Sequence, residues 1–199
     1  MKNNRVTKKI VAGKYKGKLL HLPSKTTTRS SKNIVLESFF NTIQFEIVDA
    51  NFVEVFSGSG SIGLEALSRG AKKLFFMEQD RDALKVLQEN ISQTDPKACE
   101  VFRGDSFENI KAVIKRLKDL NEEAYFYIDP PFSIREGMEE IYQKTLHLII
   151  SLPKDLVKLI IIEHMTGLEL DDNLGAFHKL KSKKFGNTTL SYYAKEELE

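Results

Sequence analysis

Hydrophobic positions along the chain follow two alternating patterns, one typical of strands and one typical of helices. Short apolar runs such as "VKLIIIEHM" (157–165) predict buried strands. Stretches such as "RDALKVLQENIS" (81–92) place apolar residues at helical spacing and predict amphipathic helices. The alternation of the two predicts a mostly parallel sheet with helices on both faces. The predicted strands are 51–56, 72–80, 98–106, 124–132 and 157–165, and the predicted helices are 33–48, 61–70, 81–92, 110–120 and 136–151.

The two ends of the chain depart from this alternation. "AFHKLKSKKFGNTTLSYYAKE" (176–196) predicts two antiparallel strands around a Gly186-Asn187 turn. "KKIVAGKYKGKLLHLP" (8–23) also alternates and contains two glycines, so it can pair as a small β-hairpin. An α/β chain whose parallel sheet closes with an antiparallel hairpin suits the Rossmann-like methyltransferase fold better than a plain dinucleotide-binding domain.

Charge is distributed unevenly between the N-terminal segment and the remainder of the chain. Residues 1–32 carry ten basic residues and no acidic one, whereas residues 33–199 hold 20 basic and 28 acidic residues. A solvated tail is one explanation, but a segment of a single sign is explained better as an arm that binds a polyanion. We therefore predict an N-terminal binding extension (1–32) and a catalytic domain (33–199). The basic residues of the arm are Lys2, Arg5, Lys8, Lys9, Lys14, Lys16, Lys18, Lys25, Arg29 and Lys32.

Composition excludes several other classes of protein. Cys99 is the only cysteine, so neither an internal disulfide nor a cysteine-cluster metal site can form, and the four histidines lack ligand spacing. No apolar stretch approaches the roughly 20 residues of a membrane helix. The N-terminal residues lack the apolar core of a secretory signal, so we expect a cytoplasmic protein without a metal or membrane partner.

A glycine-rich loop follows the first predicted core strand. Gly58, Gly60 and Gly63 form the pattern G-x-G-x-x-G between a strand and a helix, where backbone can approach a ligand closely. Glu78 ends the next strand, where a carboxylate can accept hydrogen bonds from both ribose hydroxyls. Asp105 ends the third strand and can either contact an adenine amino group or cap the following helix. These residues indicate a cofactor that contains adenosine, and an NAD domain would make the same demands.

The fourth core strand ends in Asp129-Pro130-Pro131-Phe132. Two prolines alone would end a strand, but they do not account for the acid before them and the aromatic ring after them. A carboxylate and the carbonyl of Pro130 can accept both N–H bonds of a nucleobase amino group, and Phe132 can stack on the base. Asp129 would then orient the nitrogen toward the methyl group of S-adenosylmethionine and accept its proton.

These segments resemble the bacterial family of 16S ribosomal RNA guanine-N2 methyltransferases of the RsmD type. The resemblance covers most of the chain. It is carried by "IVAGKYKGKLL" (10–20), "ESFFN" (37–41), "FSGSGSIGLEALSRGA" (56–71), "MEQDRDAL" (77–84) and "DPPF" (129–132).

The resemblance implies a site and a partner for the chain. The target guanine would be held by Asp129, Pro130, Pro131 and Phe132, with 16S ribosomal RNA in the small subunit as the partner. Lys14, Lys16, Lys18 and Arg29 are the predicted RNA contacts of the arm. The residues expected around S-adenosylmethionine are Phe56, Ser57, Gly58, Gly60, Glu78, Asp105 and Asp129.

The chain departs from the family pattern at three positions. Ile34 and Leu36 stand where the family has arginines, and Glu54 stands where an aspartate is more usual. The residues alone also leave two other functions open, which are N6-adenine methylation of a nucleic acid and a non-catalytic role as an assembly factor that binds ribosomal RNA.

Overall fold

The computed structural model describes residues 6–23, 30–131 and 139–196. Regular structure fills most of these ranges. Two short 3₁₀ turns lie at Pro96–Ala98 and Lys154–Leu156. The helices are α1 (Ser30–Thr42), α2 (Ser61–Ser68), α3 (Arg81–Ser92), α4 (Ser106–Leu120) and α5 (Glu139–Ile150). The strands are β1 (Thr7–Lys9), β2 (Leu19–His21), β3 (Asn51–Glu54), β4 (Lys73–Glu78), β5 (Cys99–Arg103), β6 (Ala124–Ile128), β7 (Val157–Met165), β8 (Asn173–Leu174), β9 (Phe177–Phe185) and β10 (Thr188–Lys195).

One eight-stranded sheet organises the molecule, with the strand order β5-β4-β3-β6-β7-β10-β9-β8. The first five strands in this order are parallel, and β10 is antiparallel to both of its neighbours. The predicted mostly parallel sheet with a C-terminal antiparallel hairpin is therefore confirmed. Strand β8 was not predicted, because its two residues are too few to show an alternation.

Strands β3 and β6 are shorter than predicted, so the candidate residues that follow them lie outside the strands. α3 and β7 begin and end at the predicted residues, but β3 ends at Glu54 and β6 at Ile128, short of the predicted ends. Helix α1 ends at Thr42, six residues before the predicted end. The strands that carry the candidate site thus end before the glycine loop and before Asp129, so these groups lie at the carboxyl edge of the sheet, where ligands bind in open α/β folds.

Both faces of the central strands β3 and β6 are buried. Phe52 of β3 packs in the core on the side of α1, α2 and α3, and the next residue, Val53, packs in the core on the side of α4 and α5. Consecutive side chains of a strand point to opposite faces. Because helices cover both faces, the strands read as continuous apolar runs instead of alternating ones.

The N-terminal hairpin predicted from residues 8–23 is present and is packed onto the rest of the protein. β1 pairs with β2 in antiparallel register. Ile10 and Leu20 are each 1% exposed and belong to the core on the α2 and α3 side. The hairpin therefore contributes apolar side chains to the core, while Lys8, Lys9, Lys14, Lys16 and Lys18 within it are at least partly exposed.

Hydrogen bonds from helix α2 hold this hairpin in place. The buried Glu65 carboxylate accepts from the backbone N–H groups of Val11 (2.8 Å) and Ala12 (3.1 Å). Gly13 has φ +83°, and a Cβ there would lie 1.7 Å from the Ser68 carbonyl oxygen. Only a glycine permits this close approach of the hairpin to the end of α2.

Candidate active site

The loop between β3 and α2 depends on its glycines for packing. Gly60 has φ +73°, and a Cβ on it would lie 2.4 Å from a methyl carbon of Leu87. A Cβ on Gly63 would lie 2.5 Å from the ring of Phe76. The glycine pattern therefore lets α2 start close against β4 and α3, which leaves the backbone of the loop exposed to a ligand.

Glu78 at the end of β4 holds the glycine loop. Its Oε2 accepts from the Gly58 N–H at 2.7 Å, while Oε1 accepts from the N–H groups of Gln79 (2.8 Å) and Asp80 (2.7 Å). Both carboxylate oxygens are thus oriented by backbone donors, and the group remains partly exposed. An acceptor fixed in this way is suited to binding a pair of hydroxyl groups.

Asp105 caps helix α4, since its carboxylate accepts from the Phe107 N–H at 2.8 Å. This is the capping role that the sequence left open. Asp105 nevertheless lines the same cavity as Glu78, so the cap does not remove it from the ligand surface. The rings of Phe56 and Phe107 meet edge to face there, with centroids 5.6 Å apart.

Two cavities lie side by side along the carboxyl edge of the sheet, and Asp129 lines both. We call the first, of about 540 Å³, the loop cavity; it is lined by Phe56, Gly58, Glu78, Asp105, Phe107 and Pro131, among others. We call the second, of about 320 Å³, the arm cavity; it is lined by Thr7, Lys8, Lys9, Glu54, Tyr127 and Glu163, among others. Asp129 is therefore placed where a molecule in one cavity would meet a molecule in the other.

Sheet register brings the polar residues of the arm cavity onto one face. Glu54 is directly opposite Tyr127 in the β3–β6 ladder. Ile128 is opposite Ile162 in the β6–β7 ladder, and each of these is followed by an acid, Asp129 or Glu163. Since side chains alternate along strands, the three carboxylates surround the phenol of Tyr127.

Glu54 is buried and has a raised pKa. It is 4% exposed, and its Oε2 accepts from the Gly63 N–H at 2.8 Å. Burial raises its pKa to about 8, although the hydrogen bond from Gly63 acts in the opposite direction. The longer side chain that departs from the family's aspartate thus reaches the N-terminus of α2.

Tyr127 and Glu163 form a buried hydrogen-bonded pair that the sequence analysis missed. The tyrosine hydroxyl donates to Glu163 Oε2 at 2.7 Å. Burial, followed by the negative charges of Glu163 and Asp129, raises the pKa of Tyr127 well above its ordinary value, so the hydroxyl stays protonated. The signal available in the sequence was Glu163 itself, an acid that ends an apolar run as Asp129 does.

The proline motif is only partly within the described residues. Pro130 is buried and Pro131 is exposed on the wall of the loop cavity. Phe132 and Arg29, which were predicted to contact the base and the RNA, lie outside the described residues.

The arm brings different lysines to the cavity from those predicted. Lys8 and Lys9 line the arm cavity. Lys14 lies at the other end of α2, where its N–H donates to the Ser68 carbonyl oxygen at 2.7 Å, and Lys16 and Lys18 belong to the same turn. An eight-residue helix separates the two groups by about 10 Å. Charge counting cannot distinguish them, because the register of the hairpin decides which lysines face the site.

The two departures in α1 have different surroundings. Ile34 is 60% exposed, whereas Leu36 is 1% exposed and belongs to the core. Position 36 therefore supports folding in this chain and offers no surface to a substrate.

Asn90 of α3 joins the arm to the glycine loop. Its side-chain oxygen accepts from the His21 N–H at 2.8 Å, and its amide nitrogen donates to the carbonyl oxygens of His21 (2.9 Å) and Ser59 (2.9 Å). Asn90 is fully buried. One side chain thus links the hairpin to the glycine loop, and both of these segments contribute residues to the wall of the arm cavity.

Within the described ranges we find neither a helix able to cross a membrane nor a cluster of metal-ligating side chains. None of the helices there combines the length and apolar character that crossing a membrane requires. Residues 6–23, 30–131 and 139–196 contain no group of three or more His, Cys, Asp or Glu side chains arranged to hold a metal ion.

Comparison with known proteins gives concordant matches. A Bacillus subtilis protein, provisionally named the rRNA methyltransferase YlbH, is 26% identical over 193 residues, which are 94% of this chain and 98% of that protein. The Escherichia coli ribosomal RNA small subunit methyltransferase D is 30% identical over 141 residues, which are 71% of this chain and 66% of that protein.

A solved structure shares the fold over the whole chain. The Escherichia coli protein provisionally named methyltransferase yhhF superposes with a TM-score of 0.75 at 24% identity, over 97% of this chain and 100% of that one. The Rossmann-like methyltransferase fold predicted from the strand pattern is thereby confirmed. The family model described as "Conserved hypothetical protein 95" matches residues 8–194, so the chain belongs to that family, the RsmD-type methyltransferases that its motifs resemble.

Proposed function

We propose that the protein transfers a methyl group from S-adenosylmethionine to the exocyclic N2 amino group of a guanine in 16S ribosomal RNA of the small subunit. The observation that carries the proposal is the position of Asp129, which follows β6 and lines both cavities. Relatives named as ribosomal RNA methyltransferases support RNA as the substrate. The name of the Escherichia coli relative supports the small subunit. A substrate of this kind keeps the cytoplasm as the expected compartment.

The polar groups of the loop cavity fit the adenosine part of the cofactor. Glu78, oriented by three backbone donors, would accept from the ribose hydroxyls. Asp105 would accept from the adenine amino group, with Phe56 and Phe107 beside the ring. Ser57 acts indirectly, because its hydroxyl donates to the Glu54 carbonyl oxygen at 2.8 Å and accepts from the Met77 N–H at 2.9 Å.

The loop backbone at Gly58 would contact the ligand where the two cavities adjoin, since Gly58 lines both. Gly60 is buried against Leu87 and would contribute by allowing the shape of the loop. When bound, S-adenosylmethionine supplies a methyl group on a sulfonium centre, which is open to in-line attack. The protein's task is to present an amino nitrogen to that methyl group at near-attack distance.

Asp129 and the following prolines would perform that task. The lone pair of an exocyclic amino group is delocalised into the base, so the nitrogen is a weak nucleophile. Asp129 and the carbonyl of Pro130, both acceptors only, would hold the two N–H bonds and favour a tetrahedral nitrogen. Asp129 would then accept the proton released as the N–C bond forms. Phe132 keeps its predicted role of stacking on the base.

The test is incubation of the protein with labelled S-adenosylmethionine and small ribosomal subunits from a strain that lacks the gene, followed by digestion and identification of the labelled nucleoside. We expect N2-methylguanosine at a single position. N6-methyladenosine would overturn the substrate but keep the chemistry. No label, despite measurable cofactor binding, would favour the assembly-factor role.

A further inference from the structure

We infer that Glu163 reads the edge of the target base next to the reacting amino group, and so selects guanine over bases whose ring N1 carries no hydrogen. The inference rests on the proposed function. It assigns to this buried acid a part in base selection that is separate from the chemistry at Asp129.

Strand pairing places Glu163 beside Asp129. The last paired residues of β6 and β7 here are Ile128 and Ile162, and each acid comes one residue later. Neighbouring strands lie about 4.8 Å apart, and both acids share the face of Tyr127. Both also line the arm cavity. A base held at Asp129 therefore has Glu163 as its neighbour along the carboxyl edge of the sheet.

Tyr127 fixes the orientation of the Glu163 carboxylate. The hydroxyl donates to Oε2 at 2.7 Å, and the two side chains are 1% and 3% exposed. Within the described residues the hydrogen bonds include no donor to the other carboxylate oxygen, Oε1. A carboxylate held by one oxygen in a cavity wall offers the second to a ligand, and an ionised carboxylate accepts without donating.

Guanine and adenine differ at the atom that this acceptor would meet. Guanine presents two adjacent donors, the N2 amino group and the N1–H. If Asp129 holds the amino group, the N1–H is the next donor along the base edge. Adenine in an equivalent pose presents its N6 amino group beside an unprotonated N1. The N1 lone pair would then face the carboxylate, and two buried acceptors without a shared proton repel each other.

The test compares two bases that both carry an amino group at C2. Small subunits are reconstituted with guanine or with 2-aminopurine at the mapped target position, and kcat/KM for methyl transfer is measured for each. 2-Aminopurine keeps the nucleophile but has an unprotonated N1. We expect wild-type protein to prefer guanine by about 10- to 100-fold, and Glu163→Gln to lose at least about tenfold of that preference because its amide can donate to N1.

Two matched variants separate reading of the base from a merely structural role. Tyr127→Phe removes the hydrogen bond that orients the carboxylate but keeps the acceptor itself, so we expect a clearly smaller loss of the preference for guanine than in Glu163→Gln. Glu163→Asp keeps the charge and should retain the preference even if turnover falls. Thermal unfolding and S-adenosylmethionine binding are measured for each variant to confirm folding.

The outcomes distinguish this inference from the proposed function. If wild-type protein forms N2-methylguanosine and Glu163→Gln keeps the full preference for guanine, the role of Glu163 is wrong and the proposed function stands. Equal loss of preference in Tyr127→Phe and Glu163→Gln would reduce the pair to a structural contact. If wild-type protein forms no N2-methylguanosine, the proposed function fails first.

Discussion

Carboxylates line both cavities beside Asp129, but the two sets differ in exposure and in their partners. Glu78 and Asp105, in the loop cavity, are at least partly exposed. Both accept hydrogen bonds from backbone N–H groups close in sequence, and Glu78 accepts a further one from Gly58 of the glycine loop. Glu54 and Glu163, in the arm cavity, are 4% and 3% exposed. Solvent and several backbone donors thus stabilise the first set, whereas each acid of the second set is shielded from solvent and accepts a hydrogen bond from a residue elsewhere in the chain, Gly63 or Tyr127.

This difference in exposure suggests that the loop cavity binds the cofactor and that the arm cavity discriminates between bases. Oriented and partly solvated acceptors are suited to holding a polar cofactor without a large desolvation penalty. Buried acceptors carry that penalty, and they discriminate strongly because a ligand that leaves them unpaired binds poorly. We interpret the loop cavity as the holding side and the arm cavity as the reading side, with Asp129 between them.

The largest effect is expected from removing the carboxylate that lines both cavities. Asp129→Ala should lower turnover by on the order of 10²–10⁴ because the amino nitrogen loses its acceptor. S-adenosylmethionine should still bind, since Glu78 and Asp105 remain. Single-turnover methyl transfer and cofactor titration measure the two effects separately. Unchanged turnover would return Asp129-Pro130-Pro131 to the role of a strand terminator.

Glu54, one of the buried acids of the arm cavity, should make the free energy of unfolding depend on pH. Glu54 has a folded pKa of about 8, above its ordinary value near 4.5, so the folded state retains a proton that the unfolded state releases. Stability from this group is therefore complete below about pH 4.5 and is lost as pH rises toward 8, by on the order of 1 kcal/mol per pH unit. Glu54→Gln should flatten the denaturant-measured stability over that range. An identical pH profile in the variant would contradict the shift.

A substitution at Glu78 in the loop cavity should lower the affinity for S-adenosylmethionine more than the rate of methyl transfer. Glu78→Ala removes the acceptor for the ribose hydroxyls and frees the Gly58 N–H, so we expect S-adenosylmethionine affinity to fall by about 10- to 100-fold. Turnover at saturating cofactor should change much less. Calorimetric titration and saturation kinetics test this split. If the variant lost turnover but kept its affinity for S-adenosylmethionine, the role of Glu78 in binding the cofactor would be wrong.

The smallest effects are expected from the arm lysines. If wild-type protein contacts about five phosphates, log affinity for RNA should fall against log salt with a slope of about −3.5 to −4.5. Lys8→Gln/Lys9→Gln and Lys14→Gln/Lys16→Gln should each reduce the steepness by about 1.5 where both lysines contact phosphate.

The two pairs of lysines serve as controls for each other. Only the pair at the arm cavity, Lys8 and Lys9, should also lower turnover at saturating RNA. A flat salt response in wild-type protein would remove the arm from RNA binding. If both pairs lowered turnover equally, the position of Lys8 and Lys9 at the arm cavity would give them no special role in methyl transfer.

Much of the fold was predictable because it depends on local periodicity. The bounds of α3 and β7, the glycine loop and the final hairpin all follow from spacing of apolar residues or from turn residues. Strand ends were less predictable. Apolar residues continue past Glu54 to Phe56, and backbone contacts continue with them: the Val55 N–H still donates to the Tyr127 carbonyl oxygen at 3.0 Å, although the regular strand ends at Glu54.

The candidate site divides in the same way. Asp129, Glu78 and Asp105 could be named from sequence, since Glu78 ends a strand and the other two follow a strand closely at the carboxyl edge of a parallel sheet. The position of Lys8 and Lys9 at the arm cavity could not, because a run of like charges carries no information about which members face a cavity.

The sequence by itself determined the α/β class, the cofactor loop and the proline motif, because each is written in neighbouring residues. Tertiary structure alone decided that β7 lies beside β6, which brings Glu163 to Asp129 and Tyr127. It also decided that the basic hairpin packs on α2 and forms a wall of the arm cavity. Strand order and hairpin docking result from burial of surfaces far apart in the chain, and no local pattern of residues records them.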